Sequence, residues 1–159
     1  IGEGQTISQP YVLALMLEKL QLTGDETVLE VGTGSGYTTA LLAQLTKKVY
    51  STERIKPLYQ NAKQALEQFP LKNIKLAFYD GSIGWEKFAP FDVIFVGAAA
   101  SDFPDKLTKQ LKIGGRMVVP VGTIAQKLLL VQRTKKGFTK INCGAVRFVP
   151  IIEGTYDGS

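Results

Sequence analysis

The chain has 159 residues, of which 45% are hydrophobic and 21% are charged, and its formal net charge is +5 at pH 7. This length is typical of one domain, and this composition is typical of a globular protein with a hydrophobic core. No apolar run approaches the roughly 20 residues that a membrane-spanning helix needs, and the first residues do not resemble a secretory signal. We therefore expect residues 1–159 to form one cytoplasmic domain that does not bind a membrane.

Histidine is absent from the sequence, and Cys143 is its single cysteine. The absence of histidine excludes Ser-His-Asp and Cys-His catalysis and most zinc sites. A single cysteine excludes an intramolecular disulfide and favours a reducing compartment. The basic residues are scattered along the chain, which favours a solvated surface over a nucleic-acid site. We therefore expect no metal site, and a chemistry that depends on carboxylates, hydroxyl groups and a cofactor.

Helical and strand patterns alternate as far as residue 121. The first helix is predicted from Pro10 to about Leu20, with Ser8 as its N-cap and the proline in its first turn. A strand begins at Val28, and further strands are predicted at Lys48–Thr52, Ile74–Tyr79, Phe91–Val96 and Arg116–Val121. The helices between them are predicted at Thr38–Leu45, Ile55–Phe69 and Pro104–Leu111, and a turn at Gly114-Gly115 leads into the fifth strand.

The last part of the chain is rich in strand patterns. Lys127–Arg133 and Phe138–Asn142 form a predicted hairpin around the turn Lys135-Lys136-Gly137, and a final strand is predicted at Ala145–Pro150. Alternating strands and helices followed by a strand-rich end predict an α/β fold: a doubly wound, mostly parallel Rossmann-like sheet with antiparallel strands at its C-terminal edge.

The segment VLEVGTGSGY (residues 28–37) predicts a buried strand, a glycine loop and the start of a helix. Glycines allow a ligand to approach the backbone, and the N-terminus of the helix favours its polar part. The spacing of Gly32, Gly34 and Gly36 after Glu30 is neither the dinucleotide fingerprint G-x-G-x-x-G nor a P-loop. It resembles motif I of class I S-adenosylmethionine-dependent methyltransferases, although a nicotinamide site or a simple packing turn remains an alternative at this point.

Acidic residues follow the next two predicted strands. Glu53 can accept hydrogen bonds from both hydroxyl groups of a ribose, and Asp80 can accept one from the amino group of adenine. Ligands of open α/β sheets bind at the carboxyl ends of the strands, where both acids and the glycine loop are expected to meet. The small residues Gly97–Ala100 leave room there for a flat ring. The sequence therefore predicts an adenosine-containing cofactor, and the absence of histidine as a proton partner favours S-adenosylmethionine over NAD.

The segment GEGQTISQP (residues 2–10) resembles the signature of protein-L-isoaspartate O-methyltransferases. The segments VLEVGTGSGY, ERI, DGSIG, APFD and GAVRFVP follow in the matching order, so the similarity covers nearly the whole chain. The resemblance implies methyl transfer from S-adenosyl-L-methionine to the free α-carboxylate of L-isoaspartyl residues in damaged proteins. Together with the strand-end argument it assigns the catalytic role to Ser8 and cofactor binding to Thr6, Ile7, Ser8, Glu30, Gly32, Thr33, Gly34, Gly36, Glu53, Arg54, Asp80, Gly81 and Gln126; Thr123 is a further candidate.

The implied reaction agrees with the residues present. An isoaspartyl carboxylate is already ionised at neutral pH, so no general base is required, and Ser8 would orient it by a hydrogen bond. Arg147 is either a partner of the substrate carboxylate or an exposed strand residue. Because the chain begins at Ile1, inside the motif, we expect an N-terminal segment of the family to be missing.

Two alternatives remain open from the sequence. A catalytically impaired cofactor-binding domain would follow from the missing segment, and a nucleic-acid methyltransferase would fit the basic charge. Against the second alternative, the chain has no N/D-P-P-aromatic tetrapeptide after the fourth strand, where amino-methylating enzymes of that kind carry it. We therefore expect isoaspartyl peptides and proteins as partners, no nucleic acid, and a monomer.

Overall fold

A seven-stranded sheet forms the centre of this computed structural model, which describes residues 9–159. The strands are β1 (Thr27–Val31), β2 (Lys48–Glu53), β3 (Ile74–Phe78), β4 (Phe91–Val96), β5 (Leu111–Val121), β6 (Gln126–Thr134) and β7 (Gly137–Val146). Their order in the sheet is β3-β2-β1-β4-β5-β6-β7. The pairs among β1 to β5 are parallel, and β6 and β7 are added antiparallel. The predicted fold class is therefore confirmed.

Four helices flank the sheet in the described chain: α1 (Pro10–Leu20), α2 (Tyr37–Leu45), α3 (Lys56–Leu66) and α4 (Asp105–Thr108). None of these helices is long and apolar enough to cross a bilayer. Successive residues of the central strands belong to two different core clusters: Val93 and Phe95 lie in the cluster that contains α1 and α2, whereas Ile94 and Val96 lie in the other. Both faces of the sheet are thus buried, which is why its central strands are nearly continuous apolar runs.

The start of the first helix differs from its prediction. The N-cap position is held by Gln9 rather than Ser8, and the glutamine side chain makes no capping hydrogen bond. Pro10, at the first helical position, has no N–H that would need an acceptor, so the helix can begin there without a side-chain cap.

The region around Gly114-Gly115 also differs from its prediction. The helix expected at Pro104–Leu111 is the single turn α4, and β5 already begins at Leu111. The glycine pair does not separate helix from strand; it lies in β5, where the register against β4 shifts between Phe91 and Val93. A Cβ on Gly115 would lie 2.8 Å from the carbonyl oxygen of Lys112, so the close passage of the backbone requires glycine.

The hairpin of β6 and β7 is confirmed, with Thr134 paired to Gly137 across the turn. The separate last strand at Ala145–Pro150 is wrong, because β7 continues to Val146 and the chain then leaves the sheet. Beyond Val146, the side-chain amide of Gln126 takes the place of the backbone hydrogen bonds between strands. It accepts from the backbone N–H of Phe148 (2.7 Å) and donates to the carbonyl oxygen of Phe148 (3.0 Å).

Residues on opposite faces of α1 should contribute differently to stability. Met16 is completely buried against the sheet, and we expect Met16→Ala to lower the free energy of unfolding by about 2–5 kcal/mol because it leaves a cavity. Glu18 is exposed on the same helix, and Glu18→Ala should change that free energy by less than about 0.5 kcal/mol. Urea denaturation measures both values, and equal losses would show that α1 is not packed as described.

Candidate functional site

A cavity lies at the carboxyl ends of β1, β2, β3 and β4, where ligands of parallel sheets bind. The glycine loop and the residues after each of these strands line it, together with a segment from the end of the chain. The lining includes residues 32–35, 53–55, 80–82, 97–98 and 149–152. Gly32, Glu53 and Asp80 thus converge on one cavity, as the strand-end argument predicts.

The glycine loop is fixed by hydrogen bonds to the end of β2. The N–H groups of Gly32 and Thr33 both donate to the carbonyl oxygen of Thr52, each at 3.0 Å. The N–H of Gly34 donates to Oε2 of Glu53 at 2.9 Å. These bonds hold the loop in a fixed conformation at the rim of the cavity.

Gly36 has a role in helix packing that the sequence does not predict. It does not line the cavity, and it occupies the N-cap position of α2 with a φ of 87°. A Cβ at this position would lie 3.2 Å from the side chain of Leu66, so Gly36 allows α2 to begin close to α3. Gly36 therefore serves the packing of the two helices, and its assignment to cofactor contact stays a prediction.

Glu53 is a buried carboxylate in the cavity wall, with 5% of its surface exposed. Its Oε1 accepts from the N–H of Ile55 at 3.0 Å, and its Oε2 accepts from Gly34. A carboxylate has about four lone-pair sites, so these two backbone bonds leave capacity for two further donors. A ribose diol is a ligand group that supplies such donors.

Asp80 follows the end of β3 and lines the cavity. Its Oδ1 accepts from the N–H of Ser82 at 3.0 Å, and its Oδ2 accepts from the N–H of Gly154 at 2.7 Å. Partial burial by itself would raise the pKa of Asp80, but these hydrogen bonds and the nearby charge of Arg54 outweigh it and lower the pKa. The group is therefore ionised at neutral pH and is an acceptor only, which suits an amino group of a ligand.

Gly81 follows Asp80 where the chain passes directly over β2. A Cβ on Gly81 would lie 2.3 Å from Oγ1 of Thr52, so any side chain would displace the turn. Gly81 also lines the cavity, in agreement with the sequence prediction that this residue belongs to the site.

Sequence reasoning missed the contribution of residues 147–159, which we call the C-terminal strap. Val149, Pro150, Ile151 and Ile152 of the strap line the cavity. Nε of Arg54 donates to the carbonyl oxygen of Gly154 at 3.0 Å, and the backbones of Arg54 and Tyr156 are hydrogen-bonded at 2.7 Å. The sequence predicted a strand only at Ala145–Pro150, and no local signal shows that the chain then runs past the carboxyl ends of β4, β2 and β3.

Three residues that the sequence associates with ligands lie away from the cavity lining. Gln126 binds the backbone of Phe148 and thus holds the strap instead of facing the cavity. Thr123 and Arg147 are both exposed and outside the lining. The oxygen and the nitrogen of the Gln126 amide each bind the backbone of the strap, and its assignment to cofactor binding stays a prediction.

Glu30 is fully buried beneath the glycine loop and does not line the cavity. Its Oε1 accepts hydrogen bonds from the hydroxyl groups of Thr39 and Ser51. The Ser51 hydroxyl also lies 2.6 Å from Oγ1 of Thr33, a residue of the cavity wall. Because Ser51 uses its single hydrogen toward Glu30, Thr33 is the donor in this second bond. Glu30 is thus connected to the cavity wall through two hydroxyl groups, and its assignment to cofactor binding stays a prediction.

Burial raises the pKa of Glu30 to about 7. The hydrogen bonds from Ser51 and Thr39 offset this effect only in part, and the negative charge of Glu53 adds to it. The second oxygen, Oε2, is buried and has no hydrogen-bond partner among residues 9–159. A charged carboxylate is poorly compensated in this position, so the neutral acid is favoured.

The remaining sequence predictions concern Thr6, Ile7 and Ser8. These three residues lie outside the described part of the chain, so their positions relative to the cavity are not assigned. Within residues 9–159, no group of three acidic or cysteine side chains is arranged to hold a metal ion.

The raised pKa of Glu30 predicts a pH-dependent stability. Since the folded protein holds this proton more tightly than the unfolded chain does, stability should fall as the pH rises from 4.5 to about 7, and then level off. The loss assigned to Glu30 is about 3 kcal/mol. Urea denaturation at pH 5 and pH 8 should show this difference in the wild type and lack it in Glu30→Gln; the same difference in both proteins would contradict the assignment.

Comparisons with known proteins identify the family. The sequence model of the family Protein-L-isoaspartate(D-aspartate) O-methyltransferase matches residues 1–156. The protein-L-isoaspartate O-methyltransferase of Vibrio vulnificus is 53% identical over 154 residues, which are 97% of this chain and 74% of the relative. That of Dictyoglomus thermophilum is 52% identical over 158 residues, which are 98% of this chain and 71% of the relative.

Solved structures agree with the sequence comparison. A protein-L-isoaspartate O-methyltransferase has a TM-score of 0.86 at 29% identity; the match covers 94% of this chain and half of that longer chain (50%). A Plasmodium falciparum protein described as a candidate member of the same enzyme class was solved in complex with S-adenosyl-L-homocysteine. Its TM-score is 0.85 at 28% identity, and the match covers 96% of this chain and 78% of that chain. The chain belongs to the protein-L-isoaspartate(D-aspartate) O-methyltransferase family.

Proposed function

We propose that this chain is a repair methyltransferase, which transfers a methyl group from S-adenosyl-L-methionine to the free α-carboxylate of L-isoaspartyl residues in damaged proteins and peptides. The observation that carries the proposal is the convergence of Glu53, Asp80 and the glycine loop on one cavity, in a chain of this family. The resulting methyl ester closes to a succinimide, which opens in part to normal aspartate.

The residues of the cavity fit the proposed cofactor. Glu53 keeps lone pairs for the ribose diol, and the ionised Asp80 offers an acceptor to the adenine amino group. Gly97, which has no side chain, and the small Ala98 leave room for a flat ring at the end of β4, directly beside the glycine loop that follows the neighbouring strand β1. When it is bound, the cofactor supplies a methyl group on a positively charged sulfur.

The protein's own contribution to the reaction would be alignment and exclusion of water. The carboxylate of the substrate is already an anion at neutral pH, so the reaction needs no general base. The absence of histidine from the chain is therefore compatible with this reaction. Bringing the reacting atoms into line within about 3–3.5 Å accounts for much of the acceleration in such transfers. We assign to Ser8 the role of orienting the substrate carboxylate by a hydrogen bond, and to Thr6 and Ile7 a backbone contact with the cofactor.

The proposal also concerns location and partners. A single cysteine is compatible with the reducing cytoplasm, where we place the protein as a monomer. Its partners are isoaspartyl peptides and proteins rather than nucleic acids. In support of this, the basic residues are scattered along the chain rather than gathered in one run.

A transfer assay tests the activity directly. We expect radiolabelled methyl groups from S-adenosyl-L-methionine to appear on an isoaspartyl peptide and not on the same peptide with normal aspartate or on RNA. Ser8→Ala should lower the turnover of the isoaspartyl peptide while cofactor affinity changes little, because the lost hydrogen bond is to the substrate. Labelling of RNA alone would indicate a nucleic-acid methyltransferase, and cofactor binding without any transfer would indicate an impaired binding domain.

The assignment of Asp80 can be tested by binding alone. Asp80→Asn keeps the shape of the side chain but removes its charge, and it should weaken S-adenosyl-L-methionine binding about tenfold or more, the range for a charge-assisted hydrogen bond. Asp25→Asn, which removes the same charge from an exposed turn, should leave the affinity unchanged. Calorimetry measures both; an unchanged affinity in Asp80→Asn would remove Asp80 from the site.

A further inference from the structure

We propose that Glu30 is a proton-exchanging positioning residue: the carboxyl group beneath the glycine loop gives up a proton when S-adenosyl-L-methionine binds in the cavity above it. This inference rests on the proposed function, since it requires that the cavity hold this cofactor. It concerns a group that the methyl transfer itself does not use.

The geometry connects Glu30 to the cavity without placing it there. Thr33 forms part of the cavity wall, its hydroxyl donates to Ser51 at 2.6 Å, and the Ser51 hydroxyl donates to Oε1 of Glu30 at 2.5 Å. Thr39 of α2 donates to the same oxygen. The carboxyl group therefore joins the loop, β2 and α2 through hydroxyl groups whose hydrogens can reorient when its charge changes.

The second oxygen shows that the charge of Glu30 is incompletely compensated by the protein. Oε2 is buried and without a hydrogen-bond partner in the described chain, and the residue as a whole has no exposed surface. Burial raises the pKa of Glu30 to about 7, so both forms are populated at neutral pH in the empty protein. A new positive charge nearby can therefore change the ratio of the two forms.

The charged groups around Glu30 favour this response. Glu53 at the end of β2 is an acid, and its negative charge raises the pKa of Glu30. The helix α2 and the loop 32–36 contain no charged residue. Lys48 and Asp92 lie at the amino ends of β2 and β4, and Glu18 and Lys19 lie near the end of α1. Arg54 and Asp80 line the cavity at the carboxyl ends of the strands, where both are hydrogen-bonded to Gly154 of the strap. No cation among residues 9–159 is hydrogen-bonded to Glu30, so a cation bound in the cavity would add a compensating charge that the described chain does not place on this carboxyl group.

S-adenosyl-L-methionine carries a sulfonium and an ammonium group against one carboxylate, whereas S-adenosyl-L-homocysteine lacks the sulfonium charge. A positive charge in the cavity lowers the pKa of the buried carboxyl group beneath it, and we expect a shift of about one unit. Binding of the methyl donor should therefore release about 0.4 proton from Glu30 at pH 7. Binding of the product should release less, so an ionised Glu30 favours the methyl donor over the product.

Calorimetry of cofactor binding at pH 7 in phosphate and in Tris counts the protons, because the two buffers differ in their heat of ionisation. We expect the wild type to release about 0.4 proton more than Glu30→Gln on binding S-adenosyl-L-methionine. With S-adenosyl-L-homocysteine the difference between the two proteins should be smaller. The comparison with the variant removes any protons that come from the ligand's own amino group.

The affinity of the wild type for S-adenosyl-L-methionine should rise up to tenfold between pH 5 and pH 8. The affinity of Glu30→Gln should not change over this range once the titration of the ligand itself is subtracted. Ser51→Ala removes a donor to the ionised carboxylate, so it should move the midpoint of this rise to higher pH. Equal proton counts for the wild type and Glu30→Gln would overturn the inference. A wild type that does not bind S-adenosyl-L-methionine at all would instead overturn the proposed function, and the inference with it.

A measurement on the wild type alone covers the case in which Glu30→Gln does not fold. The carboxyl carbon of Glu30, followed by NMR in protein with ¹³C-labelled glutamate, should titrate near pH 7 in the empty protein and at lower pH with S-adenosyl-L-methionine bound. An unchanged titration midpoint would overturn the proposal.

Discussion

The site depends on the hydrogen bonds that join the glycine loop to the end of β2. The carbonyl oxygen of Thr52 accepts from two loop N–H groups, and the carboxylate of Glu53 accepts a third from Gly34. Because β2 and β1 are paired in parallel, these atoms are carried to the same edge of the sheet by the ladder itself. The loop at the rim of the cavity is therefore anchored to the sheet beneath it, which favours the alignment of a small ligand.

Three carboxyl groups near this loop have different environments and hence different roles. Asp80 receives two backbone N–H groups and remains ionised, and Glu53 binds the loop while keeping lone pairs for a ligand. Glu30 lies below them, where burial favours its neutral form. The sequence contains them as similar acids at or near strand ends, but their hydration and hydrogen bonds decide which one contacts a ligand and which one supports the loop.

The C-terminal strap completes the cavity from the other side. Its course is determined by side chains that are distant in sequence: Gln126 holds Phe148, and Arg54 and Asp80 bind the backbone of Gly154. Arg54 and Gln126, which the sequence assigns to the cofactor, therefore both form hydrogen bonds with the strap. A wall made of Val149 to Ile152 gives the cavity an apolar side opposite its carboxylates, which fits an amphipathic ligand.

The sequence by itself determined the parallel sheet, the glycine loop and the acids at the ends of β2 and β3, because these features follow from local patterns and from the direction of parallel strands. It also carried the family signature. Only the tertiary structure decided that Gly36 packs against α3, that Glu30 lies beneath the loop, that Gly114-Gly115 belongs to β5, and that residues 149–152 of the strap line the cavity. Each of these depends on contacts between residues far apart in the chain, such as Gln126 with Phe148, and a local pattern contains no information about such contacts.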